Sequence, residues 1–424
     1  MGQDPSTGLA RSPAAPDDPH VGFSLLTLLP RRFGGSETYV RGLLDEFVHA
    51  STGGRITVLA NRHVMAAFEE QRRSKVRFWH VSSYRPGRSI PTRGAAMASA
   101  FAWPRRIRRE IPADLDLVHY GLTVPIPRLP GRPSVVTLHG LQHLELPHLF
   151  SPAERAFRAF AYDRAARNAA LVITPAAHVK RCAIERLGIP DHQIEVIPLG
   201  INTRRFCPRF DGVNDDLLRE LPLPERFVFY PANLWPHKNH RRLVQAVAAL
   251  RDRELRLVLA GQTYGQLDAL MDEARRLGVG HRVHHLGFVP ADAVAALYRR
   301  AEALVFPSLM EGFGAPPLEA MSCLCPVASS TRGSLTEVCG RAIVAMDPED
   351  VASIAGAIDT VTADQGLRMR LRRAGAEQVS RYSWATAAER HWEAYRRVHQ
   401  EYGRKRRRAT VKSVARPALL TEVP

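Results

Sequence analysis

The chain lacks any apolar run of the ~18 residues that a membrane-spanning helix needs. Its first apolar run, VGFSLLTLL, follows a leader rich in Pro and Asp where a secretory signal would carry positive charge. That run is expected to be a first core strand. The opening MGQDPS fits a myristoylation pattern, which we attribute to chance because the pattern is short. Cysteine is scarce: Cys182, Cys207, Cys323, Cys325 and Cys339 are odd in number and scattered. A disulfide framework is thereby excluded, and a reducing, cytoplasmic setting is expected. Cys323 and Cys325 stand too close together for a Cys-x-x-Cys ligand pair. Acidic residues are also short, 42 against 59 basic ones, which leaves +17 and a pI near 10.3. Such a balance favours an anionic partner, whether nucleic acid, anionic lipid or a phosphorylated substrate.

Several catalytic signatures are missing. There is no G-x-x-x-x-G-K-[ST], no complete G-x-G-x-x-G opening a helix, no G-x-S-x-G and no H-E-x-x-H. His143, Glu145 and His148 share HLELPH, but Pro147 interrupts any helix there and the spacing is not that of a zinc protease. No metal and no cofactor is expected from the sequence.

What is present is alternation. Residues 1–19 are Pro/Asp/Ser-rich and read as a disordered leader. RITVLA, KVRFWHV, LDLVHY, PSVVTLHG and ALVITPA are short β-rich runs separated by helical or irregular stretches. RFVFYPA, LRLVLAG, VHHLGFV, ALVFPS and CPVASS repeat the grammar in the second half. Strand–helix alternation predicts parallel sheets covered on both faces. At ~100–200 residues per domain, 424 residues suggest two domains. EVIPLGINTRRFCPRFDGVND reads as the seam, which gives an α/β chain with doubly wound domains at 20–205 and 206–385. A helix over 386–402 and a basic tail over 403–424 follow.

In such sheets ligands sit beyond the carboxyl ends of the strands. Four constellations fall there. EGFGAPPLEA puts Glu311 and Glu319 on either side of a Gly-Phe-Gly turn, with Glu319 expected in the first turn of a helix. Glycines permit close backbone approach, and a helix N-terminus attracts anions. The carboxylates can accept from hydroxyls, so the stretch suits a ligand with an anionic middle and polyhydroxylated ends. Equally, Glu319 could merely complement the helix dipole while Glu311 is solvated. In FYPANLWPHKNH, Lys238 precedes a helix predicted to start near Asn239; it is either a surface lysine or a grip on a diphosphate. His139 ends the strand of VVTLHG, as a structural histidine or a cleft imidazole. Gly34-Gly35-Ser36 turns from first strand to first helix, a weak phosphate-approach signal.

Together these stretches resemble the large family 4 of retaining glycosyltransferases, which have the GT-B fold of two facing Rossmann-like domains. The resemblance spans about residues 21–400. It is carried most specifically by the E-x7-E pattern of PSLMEGFGAPPLEAMSC, with VIPLGINTRRF, WPHKN, LGFVP and the early Gly-Gly turn in the family's order. It implies a nucleotide sugar as donor. Glu319 would hold the ribose, Glu311 the donor sugar, and the Gly312–Phe313–Gly314 backbone would line sugar and phosphate. Lys238 and the Gly34–Gly35 turn would stabilise the diphosphate, His139 would touch the sugar, Phe288 and Val289 would meet the base, and Asn202 and Asn233 would complete the donor-binding set. Catalytic roles would fall on His139, Lys238 and Glu311. Two departures stand out. Ala232 occupies a position where the family commonly has arginine, and Asn202 stands where it has aspartate. The WPHKN form resembles mannose-transferring members, which leans toward GDP-mannose. The resemblance implies a glycan or lipid-linked acceptor used in cell-surface polysaccharide synthesis. A non-catalytic nucleotide-sugar binder of the same fold is the alternative. A nucleic-acid-binding protein would also explain the charge, but no base-stacking module is evident.

One further stretch bears on localisation. RPGRSIPTRGAAMASAFAWPRRIRRE interleaves arginines with Met97, Phe101 and Trp103. It is either a solvated loop or a docking segment for an anionic membrane, on the cytoplasmic face.

Overall fold

A computed structural model describes residues 18–30, 34–49, 54–69, 76–87, 90–208, 218–219 and 221–414. Most of the expected leader, part of the seam and residues 415–424 of the expected tail lie outside the described residues.

Among the described residues, thirteen strands form two parallel sheets. The first sheet contains β1 (His20–Ser24), β2 (Arg55–Ala60), β3 (Arg77–His80), β4 (Leu117–Tyr120), β5 (Ser134–Thr137), β6 (Leu171–Thr174) and β7 (Ile194–Val196). Its spatial order is β3-β2-β1-β4-β5-β6-β7. The second contains β8 (Phe227–Pro231), β9 (Arg256–Ala260), β10 (Val283–His285), β11 (Ala303–Phe306), β12 (Val327–Ser330) and β13 (Val344–Met346), ordered β10-β9-β8-β11-β12-β13. The apolar runs become these strands because both faces are covered by helices, so every position of β4, β6, β11 and β12 is buried. The order reverses between β1 and β4 and again between β8 and β11. Such reversals open the crevices in which doubly wound sheets bind ligands.

The expected VHHLGFV strand is shorter than its apolar content suggested. It ends at His285 because Gly287 turns the chain at φ +71°, a left-handed conformation that breaks a ladder.

The last helix also differs from expectation. It starts at Trp384 and continues past 402 to Val414. Lys and Arg are good helix formers, so the basic run prolongs the helix. This helix leaves the second domain and docks on the first. Trp392 and Tyr395 pack beside Phe47, and Trp384 beside Tyr39. The Tyr39 hydroxyl bonds Thr137 Oγ1 (2.8 Å) and His391 Nε2 (2.9 Å), while the Tyr395 hydroxyl bonds His119 Nδ1 (2.6 Å). Buried polar atoms are thereby satisfied across the domain boundary. One apolar core cluster runs through both domains and this helix, from Val21 to Val398. Among the described residues, no helix is long and apolar enough to cross a membrane.

Candidate active site

The constellations gather at the two crevices, which face each other. After β11 the chain reaches Glu311, whose Oε1 accepts from Lys238 Nζ (2.5 Å) and from Ser308 Oγ (2.6 Å). Lys238 comes from the loop after β8, where a 3-10 turn (Pro236–Lys238) precedes the helix His240–Ala249. Two neighbouring strands therefore deliver an ammonium and a carboxylate to one point. The pair is nearly enclosed, at 17% and 10% side-chain exposure, which strengthens its attraction over that of a surface pair. Burial pushes the Glu311 carboxyl upward, but Lys238, His237 and the hydrogen bonds together hold it below its usual value. His237 is driven down to about 4, first by burial and then by Lys238, with Arg158 of the first domain adding to the effect.

Gly312 and Gly314 are each required. A Cβ on Gly312 would lie 1.7 Å from the His139 carbonyl oxygen, so the loop meets the end of the first domain's strand as bare backbone. Gly314 sits at φ +88° as N-cap of the helix Ala315–Ser322. Ser334 holds the loop from behind, its N–H donating to the Glu311 carbonyl (3.1 Å) and its hydroxyl to the Gly312 carbonyl (2.9 Å). Phe313 turns its ring into the core against Tyr382, so the cleft receives only its backbone.

Glu319 lies in the second turn of that helix, not in the first as expected. The helix already begins at Ala315, because the two prolines fit its first turn, where their missing N–H groups are not needed. Burial raises the Glu319 carboxyl to about 7, against the lowering effects of the Tyr298 hydroxyl and Arg205. Tyr298 donates to its Oε2 at 3.3 Å. Glu319 is thus a poorly solvated acceptor with one weak partner, and the dipole-complement reading does not describe it.

From the first domain, His139 Nε2 meets the Gly121 carbonyl at 2.8 Å, and its ring packs edge-on to Tyr39. A carbonyl can only accept, so Nε2 carries the proton and Nδ1 is the lone-pair nitrogen. Burial lowers its pKa, which keeps the ring neutral. Gly34 and Gly35 open the helix Gly34–His49. Among the described residues, nothing lies within 4 Å of a Cβ placed on Gly35, and one on Gly34 would meet only Asn233 Nδ2, at 4.0 Å. The Asn233 Oδ1 is used by the Gln262 N–H (2.8 Å). Asn233 and the glycine pair therefore border open space from opposite sides.

Two expected site residues, Asn202 and Val289, carry less. Asn202 Oδ1 accepts from the Arg205 N–H (3.1 Å), so it caps a turn. Val289 packs against the core, whereas Phe288 is 55% exposed and free to meet a flat ring. Ala232 is 8% exposed, an apolar position. Sequence reasoning missed Ser308, Tyr298 and Ser334. Ser308 alone had a signal, as the first polar residue after the buried strand β11. It also missed Tyr264, whose ring lies tilted against that of Trp235 (centroids 4.5 Å apart, planes at 34°), both partly exposed.

Comparison with known proteins decides the family. Residues 33–205 match the family described as Glycosyltransferase Family 4, and residues 218–378 match Glycosyl transferases group 1. The chain is a glycosyltransferase built of a family 4 domain and a group 1 domain. Among its relatives, O-antigen chain mannosyltransferase B of Escherichia coli is 28% identical over 298 residues, covering 69% of this chain and 77% of that protein. An uncharacterized glycosyltransferase of Methanocaldococcus jannaschii is 29% identical over 288 residues, covering 64% and 71%. Among solved structures, Anabaena Alr3699/HepE in complex with UDP and glucose has a TM-score of 0.67 at 20% identity, covering 89% of this chain and 99% of that one. WaaG, a glycosyltransferase involved in lipopolysaccharide biosynthesis, has a TM-score of 0.67 at 16% identity, covering 88% and 99%. At such identities the likeness concerns the fold, and this glycosyltransferase has the GT-B architecture.

Proposed function

We propose that this glycosyltransferase moves a hexose from a nucleotide sugar to a glycan or lipid-linked glycan with retention of anomeric configuration. The observation that carries the reading is the Lys238–Glu311 pair set opposite His139, with the Gly312 backbone between them. A cation, a carboxylate, bare backbone and a neutral imidazole converge where a sugar diphosphate would bend.

The residues divide the work. Lys238 and the N-terminus of the helix His240–Ala249 take the charge that grows on the departing diphosphate. The family arginine is absent at Ala232, and Arg158 is the cation we assign in its place, since it already acts electrostatically on His237. Glu311 Oε1 is held by Lys238 and Ser308, which fits it to bind a sugar hydroxyl through Oε2 and not to attack carbon. Glu319 accepts from the ribose hydroxyls, and Phe288 covers the base. The bond from C1 to the diphosphate oxygen breaks, and the acceptor oxygen bonds C1 on the same face. The acceptor's proton passes to the departing phosphate oxygen. Orientation and charge stabilisation carry the rate, with no metal and no cofactor assigned a step.

GDP-mannose is the donor we favour, from the WPHKN stretch and the mannosyltransferase among the relatives. The reaction would take place at the cytoplasmic face of a membrane. Trp103 (69% exposed) and Phe160 (50% exposed) stand out from the first domain near the exposed Arg105, Arg106, Arg109 and Arg164. Met97 does not belong to that surface, because it is buried in the core. A second reading, a binder without turnover, is favoured by Ala232 alone.

The test is incubation with radiolabelled GDP-mannose and UDP-glucose, followed by determination of the product's anomeric configuration, with a thermal-shift panel of nucleoside diphosphates in parallel. Turnover with retention supports the proposal. Inversion would overturn the mechanism. A nucleoside diphosphate shift with no turnover on any glycan acceptor would favour the binder.

A further inference from the structure

A second cluster of reactive side chains lies in the first domain. β5 and β6 are parallel neighbours, so the segments beyond their carboxyl ends meet. The first is the loop carrying His139 and then the short helix Gln142–Glu145. The second is the helix Ala177–Leu187. His178 and Cys182, four residues apart, share one face of that helix. Glu145 Oε1 lies 2.8 Å from His178 Nε2, and Cys182 Sγ lies 3.5 Å from the same nitrogen. All three ligand atoms fall within 4.8 Å of one another.

The convergence on one nitrogen is the informative feature. A thiol activated by a histidine–carboxylate relay needs the carboxylate on the opposite ring nitrogen. Here Nδ1 faces Arg181, whose guanidinium lies 3.3 Å away. A nitrogen, an oxygen and a sulfur aimed at a common point instead describe three corners of a tetrahedron. With bonds of about 2.0–2.3 Å to a central ion, adjacent ligand atoms stand roughly 3.3–3.8 Å apart. The S···N spacing already fits, and the O···N spacing needs to open by about half an ångström. Cys182 is buried, while His178 and Glu145 are partly exposed, which leaves the fourth corner to water.

We propose that Glu145, His178 and Cys182 form a binding site for a borderline-soft divalent cation of the zinc class. The mixed N/O/S donor set suits zinc or cobalt and is a poor match for magnesium or calcium. On binding, Cys182 Sγ bonds the ion and its thiol proton leaves to solvent. The Nε2 proton of His178 moves through solvent to Nδ1, freeing the Nε2 lone pair for the ion. Arg181, which is exposed, swings off Nδ1 to admit that proton. The net release is one proton per ion bound. The occupied site ties the loop that follows His139 to the helix whose first N–H, on Ala177, donates to Glu337 of the second domain (2.7 Å). It is therefore a clip on the acceptor-side rim of the cleft and takes no part in the transfer step.

The test uses the full chain, stripped with chelator and titrated with cobalt(II). One equivalent is expected to give visible ligand-field bands together with a near-ultraviolet thiolate-to-cobalt band, and zinc should bleach both. The thiolate band separates this site from casual binding by surface histidines. Cys182→Ser and His178→Ala are expected to lose the band, and Glu145→Gln to weaken binding by roughly tenfold or more. Cys207→Ser should leave it unchanged. Thermal melting without metal checks that each variant folds, and zinc should raise the melting temperature of the parent protein but not of Cys182→Ser. The proposal is overturned by an absent thiolate band in the folded parent, by a band that survives Cys182→Ser, or by equal zinc stabilisation of both proteins.

Discussion

Replacing Glu319 by Gln should make the ligand-free glycosyltransferase more stable at pH 8 and a worse nucleotide binder at the same time. The carboxyl titrates near pH 7 in the folded protein, against 4.5 for the unperturbed group, because burial disfavours its charged form. The folded state thus holds its proton more tightly than the unfolded chain does. Its contribution to stability is fully present below pH 4.5 and is lost as the pH rises through 7. The shift corresponds to about 3 kcal/mol at 1.36 kcal/mol per unit, and the partial exposure of Glu319 trims this to about 2 kcal/mol. Gln is isosteric and never charged, so Glu319→Gln should gain about 2 kcal/mol at pH 8 and nothing near pH 4.5. Urea denaturation of both proteins at the two pH values measures this. Calorimetry with GDP supplies the second half. An ionised carboxylate accepting from ribose hydroxyls is worth about 1.5–3 kcal/mol, so the variant should bind roughly 10–100-fold more weakly at pH 8. Parent affinity should rise between pH 6 and 8, and variant affinity should stay flat. A variant that is less stable than the parent at pH 8 would refute the burial argument. Unchanged GDP affinity would refute the ribose assignment.

Other perturbations separate the remaining roles. Lys238→Ala should slow transfer by ~10²–10³ with the fold intact, since one preorganised charge stabiliser is lost; a purified variant within a few-fold of the parent would remove Lys238 from the chemistry. Glu311→Gln should lower kcat yet leave GDP affinity equal or higher, because the Lys238 ammonium is then no longer neutralised by its neighbour; steady-state kinetics beside calorimetry would expose the opposite pattern. His139→Ala should impair transfer while GDP still binds, and equal loss of both would mark the histidine as structural. Partition onto anionic liposomes should fall with salt and in the triple variant Arg105→Ser, Arg106→Ser, Arg109→Ser; Arg108 is left intact because its Nε bonds the Arg128 carbonyl (2.6 Å), and equal partition onto neutral vesicles would refute electrostatic docking.

The parts of this architecture legible in the sequence are those encoded locally. Buried parallel strands must be apolar throughout, so ALVFPS and RFVFYPA announced themselves, and the Gly-Phe-Gly turn between two glutamates pointed to backbone approach. Helix starts were less readable. Pro316 and Pro317 marked the helix, but its first residue depended on Gly314 adopting a left-handed conformation, which moved Glu319 one turn inward. Partnerships between distant residues left no trace in any window. Lys238 and Glu311 are 73 positions apart, and each alone looked as much like a surface charge as a ligand. Only the adjacency of β8 and β11 in the sheet joins them.

The final helix shows the same limit and carries a functional consequence. Its presence and basic character could be read from the sequence, but its full length and its destination could not. His391 lies 352 positions from Tyr39, and their hydrogen bond forms inside the first domain. Tyr39 also packs against the His139 ring and bonds Thr137, two residues before it on β5. A segment that begins in the second domain therefore supports a histidine of the first. A hinge between the two domains would have to carry this helix along or break a buried polar network, and the second course strips His119 Nδ1, His391 Nε2 and the Tyr395 hydroxyl of their partners. Opening and closing of the cleft would then pivot on the second-domain side of Trp384, where the chain leaves that domain's last turn, while the helix itself travels with the first domain.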